Sequence, residues 1–468
     1  MIIRHIYYFC SHKRKRMRRI CSVIAVALVL GALLQDALAQ SNTLPVMHID
    51  TENGQPITSK TEYVQATYYI GDPTGMGYAI GSKTAPLPLE IRGRGNSSWR
   101  GQKKPYKLRL GKKREMLGMA SNKHWVLLNY GDITVAGMQL GRMMGMSWNP
   151  SGKPVEVVLN GDYVGLYLLS ENNRISKNRI DIYKQPDSNE DDETIPYGWL
   201  VEVDNYYDTD QIVFKENNQW NMHITYHSPD TLSAKQKNWL LNEFKDMNAA
   251  IYQHGAWEAY IDVEAMARFF IVQEVMDNPD GFHGSFFLHK DIGDDARWVA
   301  GPLWDLNCMQ RQKTDYTFRM KVSYGFTPHW IGELLKDEAF CQAVRNAWAA
   351  FYPEKVEEWM DYIDAEILPA TQAYARNRER WPSSSDFIPL PERHSQLKDA
   401  YRANMEWFDA HLPGDPVNDI RGVAADDSHY VVYNLNGVLV GEGDTYERAV
   451  AGLRPGVYIV NGKKRFIR

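Results

Sequence analysis

Apolar residues recur along this chain in two rhythms, and the change between them divides it. From residue 44 to about 215 they gather in short β-prone runs, at 44–49, 63–70, 87–92, 106–110, 125–129, 155–160 and 163–170. Runs of this length, punctuated by Gly, Pro, Asn and Asp, predict β-strands. Asn160-Gly161, between VEVVL and DYVGLYLL, predicts a tight hairpin, because both central residues of such a turn take positive φ. One helix is expected in this half, at 134–146. From about 230 to 412 the apolar spacing becomes helical. Ser233 and Gln236 fit a capping box, Asp262 can cap VEAMARFFIVQEVM, and Thr327-Pro328 places Pro at a first helical position. Amphipathic stretches follow at 356–380 and 391–412, and a strand-like insert at 284–306 interrupts the helices. After the Pro413-Gly-Asp-Pro416 linker the chain returns to β pattern without a helix, in HYVVYNLNGVLV and GVYIVNGKKRFIR.

A strand-rich half, a helix-rich half and a small β tail predict an α+β body with an appended β-sandwich at 416–468. At 468 residues the chain exceeds one ordinary core. Hydrophobic residues at 44% and charged residues at 24% exclude disorder and a polytopic membrane protein. The net charge of −5 conceals a basic start: beyond residue 39 the balance is −11, which argues against nucleic acid as a partner. The basic run 13–19 (KRKRMRR), the apolar run 20–34 and the small residues Ala37 and Ala39 predict a signal peptide over 1–39. The alternative, a membrane anchor, is disfavoured because 15 apolar residues fall short of the ~20 that span a bilayer. The expectation is a secreted or cell-surface protein with no transmembrane span after signal removal. Cys10 and Cys21 would leave with the signal, and Cys308 and Cys341 are too few for a disulfide framework. No CxxC or HExxH occurs, so a structural zinc site has no support.

Chemistry concentrates in three places. Arg92-Gly-Arg-Gly-Asn-Ser-Ser-Trp99, with Lys103, Lys104 and Lys107 behind it, is a glycine-rich basic turn that can cradle an anion, or simply a solvated hairpin. Asp277-Asn278-Pro279-Asp280-Gly281 ends a helix, and Gly301-Pro302-Leu303-Trp304-Asp305-Leu306-Asn307 ends a strand. Two carboxylates so placed suit phosphoryl transfer, one orienting a hydroxyl and one holding Mg²⁺; capping and turn roles are the plainer alternative.

With these parts in this order, the chain resembles the spore-coat-protein-H (CotH) kinase family over roughly 44–412. The resemblance rests on IRGRGNSSWRGQKKPYKLRL, HWVLLNYGDIT, VEVVLNGDYVGLYLLSENNRI, YGWLVEVDN, FFIVQEVMDNPDG and WVAGPLWDLN. It implies an atypical protein-kinase-like body at 40–415 that moves the γ-phosphoryl of ATP to serine hydroxyls of proteins with Mg²⁺ or Mn²⁺. It implies Asp280 as catalytic residue and Asp305 with Asn307 as metal ligands. It further implies Arg94, Asn96, Ser97 and Lys104 (or Lys107) toward the phosphates, and Glu171 near the nucleotide as hinge residue or Lys partner. Many relatives carry Asp where Asn307 stands, Asn near Gly284-Ser285, and Arg-Asn where Ala136-Gly137 stand. The tail, VVYNLNG … LRPGVYIV … KK, resembles the C-terminal sorting domain of type IX secretion, implying the secretion machinery as partner.

Two other functions stay open. A non-catalytic surface module binding a protein or glycan would suit the acidic chain and the aromatic content of 12%. A glycoside hydrolase would use Glu202 and Asp204, ~7 Å apart on one strand face. N-terminal sequencing of exported protein should begin at Gln40; a sequence beginning at Met1 would remove the signal peptide.

Overall fold

The computed structural model describes residues 44–184, 195, 198–204, 211–215, 221–278, 280–282, 284–308, 318–321, 330–382, 387–414, 430–434, 439–460 and 463–467. The signal segment, the 327–328 helix start and the 415–416 boundary lie outside them. In the first half the β-prone runs become β1 (Val46–Thr51), β2 (Val64–Gly71), β3 (Leu87–Gly93), β4 (Tyr106–Met116), β5 (Met119–Asn129), β6 (Gly152–Leu159) and β7 (Asp162–Glu171). They close a seven-stranded barrel in the order β1-β2-β3-β4-β5-β7-β6. Closure is made by a parallel pairing of β1 with β6, Val46 opposite Glu156; β1 to β4 pair in sequence and antiparallel, and β5 lies beside β7. The hairpin forms where expected, with Asn160 at φ 51° and Gly161 at φ 80°. Asn160 also ties the turn to β1, its Oδ1 accepting the Thr51 amide at 2.8 Å.

The chain gathers into two compact units. The first comprises residues up to Gly111 with Pro154–Tyr167 and Pro369–Phe387. After α1 (Ser97–Arg100), its main helix is Thr371–Arg380, numbered below as α8. Buried Glu156 on β6 fixes that helix. It accepts the Tyr163 hydroxyl at 2.6 Å and a forked pair from Arg376 at 3.0 and 2.7 Å. Asn377 adds a second tie, its Oδ1 accepting the Leu166 amide at 3.1 Å.

The second unit holds α2 (Asp132–Met143), α3 (Ala234–Tyr252), α4 (Val263–Val275), α5 (Trp330–Leu334), α6 (Glu338–Ala349), α7 (Val356–Ile367) and α9 (Leu390–Asp409). Both expected caps are present. Ser233 and Gln236 form the reciprocal box, and Asp262 accepts the Ala265 amide at 2.8 Å. The stretch expected as one amphipathic run from 356 breaks at Leu368–Ala370, where Pro369 intervenes. Helix α4 is buried almost all round and is met by aromatic rings of its neighbours, Phe270 against Phe340 and Phe408. The strand-like insert is real: β11 (Phe286–Lys290) and β12 (Val299–Ala300) join β8 (Trp199–Val203), β10 (Asn221–Ser228) and β9 (Gln211–Lys215) in one sheet, ordered β12-β11-β8-β10-β9.

The described part of the tail is not a sandwich. It is one four-stranded sheet, β14 (Leu439–Gly443), β13 (Tyr430–Tyr433), β15 (Gly456–Val460) and β16 (Lys463–Ile467), with the short helix α10 (Tyr446–Ala449). Ala449, Tyr446 and Val450 pack with Val432, Val460 and Ile467, so the helix covers apolar surface that a second sheet would have taken. Thr445 caps this helix, a signal overlooked in the β pattern.

Arg376→Met should destabilise the first unit by roughly 3–5 kcal/mol, because it strands a buried carboxylate. Adding Glu156→Gln should recover most of that loss. Chemical denaturation of the single and double variants measures both.

Candidate active site

Asp280 owes its position to the way α4 ends. Asp277 takes φ 48°, turning the chain out of the helix, and its amide donates to the Glu274 carbonyl at 3.1 Å. Asn278 then folds back: its amide meets the Gln273 carbonyl at 2.9 Å and its side chain the Gln273 Oε1 at 2.8 Å. Gly281 is required here, since a Cβ would run into the Gln273 side chain. Within this loop the Asp280 amide donates to Asn278 Oδ1 at 3.3 Å, and its carbonyl accepts from Gly284 at 3.0 Å. The Asp280 side chain is half-buried.

Asp277 and Glu274 are fully buried and both serve Arg319. The guanidinium grips Asp277 through Nε and Nη2 at 2.8 and 3.0 Å. Glu274 accepts the backbone amides of Arg319 and Met320 at 2.9 and 2.7 Å. Asp132, in the GDIT run that starts α2, is likewise buried and gripped by Arg393 at 2.9 and 3.1 Å. Cys308 lies among these charges; burial, then Asp277 and Asp132, push its thiol up to about 12, so it stays protonated and is no nucleophile. Cys308 and Cys341 are both free thiols.

Asp305 and Asn307 are exposed, and Asp305 has φ 51°. Their segment is anchored by buried contacts with α2. The Leu303 amide donates to Asn149 Oδ1 at 2.8 Å. A Cβ at Gly141 would strike Leu303, and one at Gly137 would strike Leu306. Gly137 and Gly141 therefore seat the Leu303–Leu306 stretch that carries Asp305; the strand expected to end in Asp305 stops earlier, with β12 at Ala300. The Ala136 carbonyl also accepts the Trp359 indole N–H at 3.0 Å. Asn307 donates to Asp280 Oδ2 at 3.5 Å, a long bond that brings the expected metal and catalytic segments together. Among the described residues no group of three or more His, Cys, Asp or Glu is arranged as a metal cage. Mg²⁺ keeps several waters and takes only one or two carboxylates beside phosphate, so the exposed oxygen donors Asp305 and Asn307 fit that ion and not zinc.

Glu171 ends β7 in a buried polar knot. It accepts the Ser151 amide at 2.9 Å and faces Arg179 at 3.8 Å. Arg179 donates to the carbonyls of His124 and Asn172, at 2.7 and 3.1 Å, and to the Asn172 side chain. Burial raises the Glu171 carboxyl and pulls Arg179 down to about 10. The partner of Glu171 described here is an arginine eight positions on, not a lysine.

In the first unit the glycine-rich turn has a structural logic of its own. Residues 97–100 form a single helical turn, not a hairpin. A Cβ at Gly93 would enter the Trp99 ring, and Gly95 has φ 83° with Ser98 packed where its Cβ would be. Lys104 closes the turn, donating to the Trp99 carbonyl at 2.7 Å with its ammonium 5.0 Å from the ring centre. Asn96 and Ser97 are exposed, Arg94 and Lys107 half-buried, and Asn96 accepts from Lys60 at 3.2 Å. Lys107 lies on β4 opposite Arg92. The lysine passed over in the sequence is Lys103. Its ammonium meets Asn377 Oδ1 at 2.8 Å, the Leu166 carbonyl, and the Tyr167 ring at 4.3 Å. Burial pulls it down to about 7. Nothing in a run of three basic residues distinguished it; Asp277, Glu274 and Asp132 were visible inside their segments, but their arginine partners were not.

The family model described as CotH kinase protein matches residues 91–410, from the glycine-rich turn to the end of α9. A search of the curated proteins found no match to the chain. No helix among the described residues is long and apolar enough to cross a membrane.

Lys103 gives the fold a pH dependence. Its pKa is about 7 in the folded chain against 10.5 for an ordinary lysine, so between these pH values the unfolded chain holds a proton that the folded one lacks. Stability should therefore rise with pH from about 7 to about 10.5, by on the order of a few kcal/mol. Lys103→Met should flatten that slope in melting curves taken across the window.

Proposed function

The chain belongs to the CotH kinase protein family, and from that premise we propose that it is an exported ATP-dependent protein kinase acting on serine hydroxyls. The observation that carries this reading is the meeting of Asp280 with Asn307, two residues beyond exposed Asp305, on segments each held by a buried contact, Leu303 to Asn149 and Asn278 to Gln273. Asp280 orients the acceptor hydroxyl and takes its proton as the oxygen bonds to the γ-phosphorus and the bond to the ADP oxygen breaks. Asp305 and Asn307 hold a divalent ion, which would offset phosphate charge. Arg94, Asn96, Ser97 and Lys104, with Lys107 as rival, supply donors to the phosphates. Lys104 keeps this role open because an ammonium has three donors and the Trp99 carbonyl takes one. Glu171 organises the neighbourhood of the nucleotide through Arg179.

The basic and apolar run over 13–34 and the type IX-like tail support an activity outside the cytoplasm, with the secretion machinery as a partner. One observation favours a second reading, a non-catalytic surface module on the same fold. Asn307 brings one less negative charge to the metal than the Asp of relatives, and exported space holds little ATP. The His227–Glu202 pair, 2.6 Å apart, commits the carboxylate that a glycoside hydrolase would need.

Asp305→Ala should abolish metal-dependent ATP binding by calorimetry. Asp280→Asn should bind Mg·ATP as wild type does while turnover falls roughly 10²-fold or more. Lys104→Ala should weaken ATP more than Lys107→Ala. Intact-mass spectrometry with ATP and Mg²⁺ or Mn²⁺ reads transfer; a wild type that neither binds nor transfers leaves the surface module.

A further inference from the structure

We propose that Arg319 is a positioning residue for Asp280, tying the chain that follows the metal-binding segment to the loop that carries the catalytic carboxylate; this rests on the kinase reading above. Arg319 lies 14 positions after Asp305. It reaches the end of α4 through four charge-assisted bonds. Two run from its guanidinium to Asp277, and two from the amides of Arg319 and Met320 to Glu274. Phe318 reinforces the approach, packing edge-on to Phe270, Trp407 and Phe408.

The clamp answers three costs at once. Glu274 and Asp277 are carboxylates without solvent exposure, and an unmatched buried charge is expensive. Both lie at a helix C-terminus, where the backbone dipole disfavours negative charge and favours a guanidinium. Asp277 also adopts left-handed backbone geometry, which a non-glycine residue holds only when its surroundings fix it. Arg319 supplies that fixation at the residue where the loop departs, three positions before Asp280. Without the clamp the loop start relaxes, and a displacement of about 1 Å at the reacting group can cost roughly 10²-fold in rate. Arg319 acts through Asp277 and need not touch either substrate.

The test uses the full chain and two variants. Arg319→Ala strands Asp277 as a buried charge. Asp277→Asn combined with Arg319→Ala removes that charge and keeps a residue tolerant of positive φ. The double variant should melt near wild type and bind Mg·ATP within about twofold of it, while kcat falls about tenfold or more. Guanidinium ion at about 20 mM should restore part of the turnover of Arg319→Ala, by refilling the site of the lost fork. Amide exchange over 278–284 should accelerate in the double variant. Wild-type turnover together with unchanged exchange would overturn the assignment. If the wild type transfers no phosphate, the kinase reading fails on that result, and exchange alone then decides whether Arg319 holds the loop.

Discussion

A carboxylate taken out of water must be met by a cation or by amide donors; among the described residues Glu274 is met by amides, and four other buried carboxylates are met by arginines. Glu156 meets Arg376, Asp132 meets Arg393, Asp277 meets Arg319 and Glu171 meets Arg179. The first three pairs are forked, with both carboxylate oxygens engaged, which fixes direction as well as distance. Two of them join residues more than 200 positions apart, 220 for Glu156–Arg376 and 261 for Asp132–Arg393. Replacing such a pair by apolar residues need not cost stability, but breaking one side does. Each pair therefore works as a register pin. It tolerates one arrangement of the elements that carry it and penalises the rest.

The pins sit where the candidate chemistry needs rigidity. Asp132 starts the helix whose Gly137 and Gly141 receive Leu306 and Leu303, and so fixes the segment of Asp305. Asp277 starts the loop of Asp280. Glu171 closes β7 beside Ser151, at the end of the hairpin that opened with Asn160. In the first unit Glu156 and Asn377 hold α8 against β6 and β7, and Asn377 also receives Lys103. The half-buried lysine is thus a by-product of the same packing: its carbonyl and amide acceptors could hold an ammonium, but loss of water outweighs them.

Local order was legible in the sequence and long-range pairing was not. Short β-prone runs located the barrel strands, and Asn160-Gly161 named its own turn, because both signals depend on adjacent residues. Closure of the barrel depends on β1 meeting β6 across 110 positions, which no local pattern encodes. The same holds for β11 joining β8 after two intervening helices. The helical turn at 97–100 was not legible, and a hairpin was expected in its place, because Gly93 answers to the Trp99 ring six positions on, a contact visible only in three dimensions. Asp280 and Asp305 could be singled out by their loop and strand-end contexts. Their anchors, Arg319 and Asn149, could not, since an arginine in a polar stretch and an asparagine before a proline are ordinary surface residues until the chain is folded.

Asn307 is where these constraints bear most directly on chemistry. Its amide reaches the Asp280 carboxylate at 3.5 Å. An aspartate there would set two like charges against each other at that spacing, a conflict that raises the proton affinity of one of them unless a cation intervenes. Asparagine removes the conflict: its nitrogen donates to Asp280 while its oxygen stays available to a hard cation. On the kinase reading proposed above, the asparagine offers a divalent ion one negative charge fewer than an aspartate would. It also leaves Asp280 with a neutral neighbour that donates to it. On that reading, the contact of Asn307 with Asp280 serves the placement of the loop carboxylate more than the holding of the ion.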